Sequence, residues 1–407
     1  MKISQPERTL LRNLAKQVAE IAAAPEQALR REWWKRHNRL EKVKPMVLCF
    51  PEGSWVDLLP ESVLVTSDPF WREWEWHLRS IIYRDRHLRD DNVIDPVLKV
   101  PLVWSDTGWG IPIKTIASSN PRGALRYAPQ FKTEEDAARL RTPEIQVDEK
   151  RSQENLEAVG EVFGDLLEVK QSRTIEVDTS LVRVLCRMRG LDQVMVDALE
   201  RPAWLHGVLR LMLESTRGLL DWVEENGYLS LNNRDDYVGS GGVGYTHELP
   251  QPDFAGRVRL RDLWGFAETQ EFTQVSPAMY EEFAVEYQIP LLERFGLNCY
   301  ACCESLNDKM RIVKRIPRLR RLSVSPWTDV RIAAEALGDR CIFSWKPNPT
   351  DVVAGFHEDR IRASIAETLK AAEGCVLEMI LADTHTVEGE PWRLERWVHI
   401  AQAMTTA

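Results

Sequence analysis

Short apolar runs alternate with amphipathic stretches through the second half of the chain, and that alternation predicts repeated strand–helix units. Tyr228–Asn232 precedes SPAMYEEFAVEYQIPLLERFG, Leu297–Cys303 precedes DKMRIVKRIP, and Arg321–Val324 precedes DVRIAAEALGD. Cys341–Trp345 leads into DRIRASIAETLKAAEG, and Cys375–Ala382 leads into WRLERWVHIAQAM. Upstream, proline-bounded Pro45–Pro51 reads as a buried strand, as do Val97–Trp104 and Leu181–Arg189. Strands that alternate with helices through short connections form parallel sheets.

Before the first strand, residues 1–44 are polar and helical in period, with LLRNLAKQVAEIAAA followed by the charge-rich REWWKRHNRLEKVK. The stretch Gly108–Glu149 is loop-rich, including SSNPRG and a short helix at TEEDAARL. Several units in a row without a break in composition favour one closed (β/α)₈ TIM barrel over residues 45–407, carrying a helical extension at residues 1–44. With 44% hydrophobic residues in 407, the chain can bury a large core.

A net charge of −9 argues against a general nucleic-acid binder, which needs basic surface to displace counterions. Seven cysteines at irregular spacings make no disulfide framework. The first residues lack the apolar core of a signal peptide, and no run of eighteen apolar residues suggests a membrane span, so a soluble cytoplasmic protein is expected. Fifteen tryptophans are many for this length; Trp71, Trp74 and Trp76 cannot share one helical face, which leaves some for an interface, with a partner protein or in a homodimer.

The C-terminal two-fifths carries a resemblance. Ser276-Pro277-Ala278-Met279-Tyr280-Glu281-Glu282-Phe283, with Tyr287 and Pro290, looks like the SPxxFxEFxxPY helix of the uroporphyrinogen decarboxylase superfamily. The run Leu297–Glu304 (LNCYACCE) falls where the corrinoid-dependent methyltransferase branch has a strand ending in His-x-Cys-Gly. Ser323-Val324-Ser325-Pro326-Trp327 and Lys346-Pro347-Asn348-Pro349 are similar to later strand ends of the family. Two departures shape what the resemblance implies. Decarboxylases carry an arginine-rich loop after the first strand to grip porphyrin carboxylates, whereas this chain has Phe50-Pro51-Glu52-Gly53-Ser54-Trp55. The family's zinc-binding His-x-Cys becomes Ala301-Cys302-Cys303.

In a barrel, the C-terminal tips of the strands build the active site. Cys303 and Glu304 are therefore the leading catalytic and zinc-ligand candidates, with His247, on the loop after Tyr228–Asn232, as a third ligand. Asp383 and His385 follow the last strand, where the aspartate can orient the histidine as base or ligand. Asn232, Glu268, Gln270 and Lys346 are expected to line a pocket of mixed charge, Lys346 meeting an anionic group. Gly239-Ser-Gly-Gly-Val-Gly244 matches G-x-G-x-x-G by letter only, because no long helix follows it; a lid or close-approach loop over the mouth is expected instead.

What the resemblance implies is methyl transfer between a small methylated compound and the cobalamin of a separate corrinoid protein. No Asp-x-His-x-x-Gly cobalamin motif occurs in this chain; Asp383-Thr384-His385-Thr386-Val387-Glu388 has glutamate in place of the glycine. The rival expectations are a barrel lyase or decarboxylase acting on a small carboxylic acid, and a non-catalytic ligand-binding member of the superfamily.

Overall fold

The computed structural model describes residues 1–119, 123 and 125–405. Its centre is a sheet of six parallel strands, labelled here β1 (Met46–Cys49), β2 (Trp264–Ala267), β3 (Leu297–Tyr300), β4 (Leu319–Val324), β5 (Ile342–Trp345) and β6 (Val376–Leu381). Their order is β1-β6-β5-β4-β3-β2, with Met46 opposite Glu378, Glu378 opposite Ser344, and Ser344 opposite Ser323. The apolar runs of the second half thus become neighbouring strands buried on both faces, as parallel sheets require. Helices Val330–Leu337, Glu358–Ala371 and Trp392–Thr405 cover the outer face, where Leu322, Phe343, Met379 and Trp397 join the main core.

The ladder covers six strands rather than eight, and two expected strands are absent for identifiable reasons. Leu181–Arg189 is a helix. Its arginines Arg183 and Arg187 stand one helical turn apart, and Asp178, which accepts from Ser180 N–H at 2.9 Å, marks the start. Tyr228–Asn232 forms no strand because the Asn232 amide does the pairing itself: it accepts from Trp264 N–H at 2.9 Å and donates to Trp264 C=O at 3.0 Å. On the other edge, Asp91 N–H reaches Val47 C=O at 2.8 Å. Val97–Pro101 is a strand, but it pairs in parallel with Glu168–Ser172, apart from the central sheet. Within the expected loop Gly108–Glu149, Lys114–Ile116 pairs antiparallel with Arg126–Ala128, Ile145–Val147 pairs back with Trp104–Asp106, and a 3₁₀ turn forms at Glu135–Arg139, while Asn120, Pro121, Arg122 and Ala124 lie outside the described residues.

The helix Gln5–Ala22 packs with Pro69–Tyr83 and Glu149–Phe163 around a second core, in which Trp71 and Trp74 are buried beside Phe163. The next helix, Pro25–Asn38, drives its C-terminal end into the bottom of the sheet. Trp34 is fully buried and donates Nε1–H to Asp91 C=O at 2.7 Å, and His37 Nε2 meets Glu378 Oε2 at 3.0 Å.

The glycine-rich segment lies against one face of the sheet, beside Cys299, Ile380 and Arg321, and not over the strand tips. Val238 N–H bonds Gly242 C=O at 3.0 Å and Gly244 N–H bonds Asp236 C=O at 2.8 Å, forming a tight strap. At Gly242, where φ is +106°, an added Cβ would stand 2.7 Å from the Arg321 guanidinium. Only glycine serves there, on both conformational and steric grounds.

Candidate functional site

The strand tips hold three non-glycine residues in left-handed backbone conformation: Glu52 after β1 (φ 46°), Ala301 after β3 (φ 69°) and Asp383 after β6 (φ 58°). Such conformations cost about 1–3 kcal/mol each and gather where a chain must aim side chains inward. The β1 and β6 tips are laced together to hold them. Ser54 Oγ donates to Thr384 C=O at 2.6 Å, and Thr384 Oγ1 donates to Phe50 C=O at 2.6 Å. Gly53 leaves no room for a side chain, since a Cβ would stand 3.0 Å from the His385 main chain.

This lacing brings together one polar group. The ligand atoms of Glu52, Asp383 and His385 lie within 4.8 Å of one another, and all three residues are exposed. Cys303 Sγ donates to Asp383 Oδ2 at 3.5 Å, with Cys302 Sγ 3.5 Å from Cys303 Sγ. The Cys303 thiol is held above its ordinary range by its bond to Cys302, by desolvation and by the Asp383 charge. Glu52 is also raised, chiefly by desolvation and secondly by Asp383, against the Asp383 backbone bond and His385. A group of carboxylates and an imidazole of this kind has the donors to take a cation. Thiolate and carboxylate oxygen on one tetrahedral zinc stand about 3.5 Å apart, given Zn–S near 2.3 Å and Zn–O near 2.0–2.2 Å. The Cys303–Asp383 spacing fits that value, but the group whose ligand atoms all lie within 4.8 Å of one another is Glu52, Asp383 and His385, with Cys303 joined to it through Asp383.

The expected ligand set Cys303–Glu304–His247 does not assemble. Glu304 is fully buried and spends its carboxylate on main-chain N–H groups, from Thr269 at 3.0 Å and Cys302 at 2.7 Å, so it staples the β2 and β3 tips instead of facing the mouth. His247 is exposed at the opposite end of the sheet, because the strap carries the chain across the sheet face; its neighbour Glu248 pairs with Arg320, near the start of β4, at 2.8 Å. Among the described residues, Glu52, Asp383 and His385 form the metal-capable cluster. Sequence reasoning had Asp383 and His385 but missed Glu52, whose signal was its place directly after the first strand.

The predicted pocket residues divide. Asn232 lines a cavity of about 670 Å³ beside β2, together with Asp178, Arg183, Tyr237 and Phe266, but its amide is committed to Trp264. Glu268 is buried at the β2 tip, with Arg183 Nη1 3.0 Å from Oε1 and the Gln270 N–H 2.8 Å from Oε2. Burial, then Glu271, push its carboxyl up to about 8, so it holds a proton at neutral pH. Gln270 is half-buried beside it. Lys346 is buried just after β5, and its charge acts on Glu52 and Cys303.

No protein-family profile matches the chain, and no curated protein matches it. Among solved structures, a methyltransferase from Methanosarcina mazei aligns over 91% of this chain and 97% of its own, with a TM-score of 0.51 and 11% sequence identity. At that identity the likeness is one of fold. It agrees with an α/β architecture built on a central parallel sheet. No helix among the described residues is long and apolar enough to cross a membrane.

Proposed function

We propose that this chain moves a methyl group between a small methylated compound and the cobalt of a separate corrinoid protein, docked at the barrel mouth, in the cytoplasm. The reading rests on one observation: Cys303 Sγ stands 3.5 Å from Asp383 Oδ2 at the C-terminal strand tips, with Glu52 and His385 beside them. These residues would hold zinc, which supplies a Lewis acid for the heteroatom that carries or receives the methyl group. Asp383, His385 and Glu52 form the donor set, and Cys303 stands at its edge against Asp383. Glu268, protonated at neutral pH, is the rim carboxyl able to give a proton to the oxygen or nitrogen left after demethylation. The rim also exposes Trp327, Trp392 and Val56, at 65%, 47% and 58%, an apolar surface suited to a docking protein.

The test is incubation with a reduced corrinoid protein and a panel of methyl ethers and methylamines, following the cobalt spectrum. Methylation of cobalt is expected, with about one bound zinc per chain, and Cys303→Ser and Asp383→Asn should each lower the rate by roughly 10–100-fold. An unchanged spectrum with every donor, while a small acid loses carbon dioxide, would place the chain among lyases and end this reading.

A further inference from the structure

Two polar groups in the barrel lumen have nothing to bond. Lys346 is 6% exposed and Ser344 1%, yet neither Lys346 Nζ nor Ser344 Oγ has a hydrogen-bond partner. Ser344 lies in register with Ser323 and Glu378 on the lumen side of the sheet. Lys346 N–H extends the β5 ladder to Val324 C=O at 2.9 Å, so two residues on, its side chain leaves by the same face.

The neighbours cannot satisfy them. Glu378 is taken by Arg321 at 2.8 and 3.1 Å and by His37 at 3.0 Å, and Ser323 Oγ donates to Cys302 C=O at 3.2 Å. A buried ammonium with no bonded partner is among the costlier arrangements a protein can keep, and native chains bond nearly all such groups. Keeping one in place beneath a strained rim is the pattern of a site built at the expense of stability.

We infer that Lys346 Nζ and Ser344 Oγ form an anion-binding subsite in the lumen, and that the substrate carries a carboxylate which this subsite holds while its methyl-bearing end reaches the Cys303–Asp383 rim. The assignment of the methyl-bearing end rests on the function proposed above; the subsite itself does not. A carboxylate matches what is offered, one cation and one hydroxyl for two oxygens, whereas a phosphate dianion would ask for more donors. Burial holds the Lys346 ammonium below its ordinary range, opposed chiefly by Glu378, and an arriving carboxylate would counter that penalty.

The experiment is calorimetric binding to the full chain, without corrinoid protein, of acetate, methoxyacetate and N,N-dimethylglycine against 2-methoxyethanol and methoxyacetamide. The acids are expected to bind at least about tenfold more tightly than the neutral probes. Lys346→Met should erase that preference, and Ser344→Ala should weaken it several-fold. Melting temperature provides the folding control: Lys346→Met replaces an unpaired ammonium with an apolar chain of similar length, so it should melt at or above wild type. Acids that bind no better than neutral probes, a preference surviving in Lys346→Met, or a lower melting temperature for that variant would each overturn the subsite. Lys346-dependent acid binding without cobalt methylation leaves the subsite standing and removes the methyl-transfer reading. Methylation from neutral donors that Lys346→Met leaves unchanged does the reverse.

Discussion

Arg321→Met tests the floor on which the lumen rests. Arg321 gives two bonds to Glu378, at 2.8 and 3.1 Å, and one to Asn38 Oδ1 at 2.7 Å. Burial alone would raise the Glu378 carboxyl, but the Arg321 charge and the bonds from His37 and Arg321 hold it near about 2. Removing the guanidinium leaves a fully buried carboxylate with His37, itself kept from ionising readily by desolvation, as its remaining partner. Breaking one side of such a pair costs about 3–5 kcal/mol, whereas replacing both sides with apolar groups is often near neutral. Denaturant unfolding at neutral pH should therefore show a loss of about 3–5 kcal/mol at unchanged slope, and Arg321→Met/Glu378→Leu should recover at least about half of it. The pH dependence gives an independent reading. A carboxyl depressed on folding contributes stability above its unfolded value near 4.5, lost as pH falls toward about 2; in Arg321→Met, where burial is left to raise the carboxyl, that loss should shrink or reverse. A single-variant cost under about 1 kcal/mol would refute the claim that this pair organises the floor.

Three further outcomes are expected. Gly242→Ala puts a methyl group 2.7 Å from the Arg321 guanidinium at φ +106°, and should destabilise by about 2–3 kcal/mol in the same unfolding assay. Glu268 keeps its proton to about pH 8 when folded but loses it near 4.5 when unfolded, so stability falls as pH rises between those values; Glu268→Gln should flatten that slope in melting curves. Asp383 has φ 58°, which asparagine tolerates and valine does not. Asp383→Asn should thus lose bound zinc while melting near wild type, and Asp383→Val should lose both zinc and about 1–3 kcal/mol.

The sheet was legible because buried parallel strands are predominantly apolar, and Leu297–Tyr300, Ile342–Trp345 and Val376–Leu381 are so, each with one polar residue (Asn298, Ser344 and Glu378) inside the run. Leu181–Arg189 misled because a short helix buried on most sides is nearly as apolar as a strand. The arginine spacing at 183 and 187 carried the correct period. The Tyr228–Asn232 reading failed because a side-chain amide can occupy a backbone partner's place, which no hydrophobic pattern records. For the site, residues that follow a strand directly were readable, so Cys303, Asp383, His385 and Lys346 were found at the tips. Glu304 and His247 were not: which way a side chain turns after the last ladder bond, and which end of a barrel a loop leaves by, depend on tertiary paths. The strap across the sheet face is one such path.

That strap gives the assembly an order. Where the inner face of a parallel sheet is usually covered by side chains that the strands bring with them, here part of the cover is a separate length of chain, gripped by the Asn38 amide at 2.8 Å from Val243 C=O and 2.7 Å from Tyr245 C=O. Its seat exists only after the first helices, β4 and β6 have met, contacts that span 341 positions between His37 and Glu378. Closure of the interior should therefore be among the last events of maturation, slowed by the entropy of gathering such remote segments.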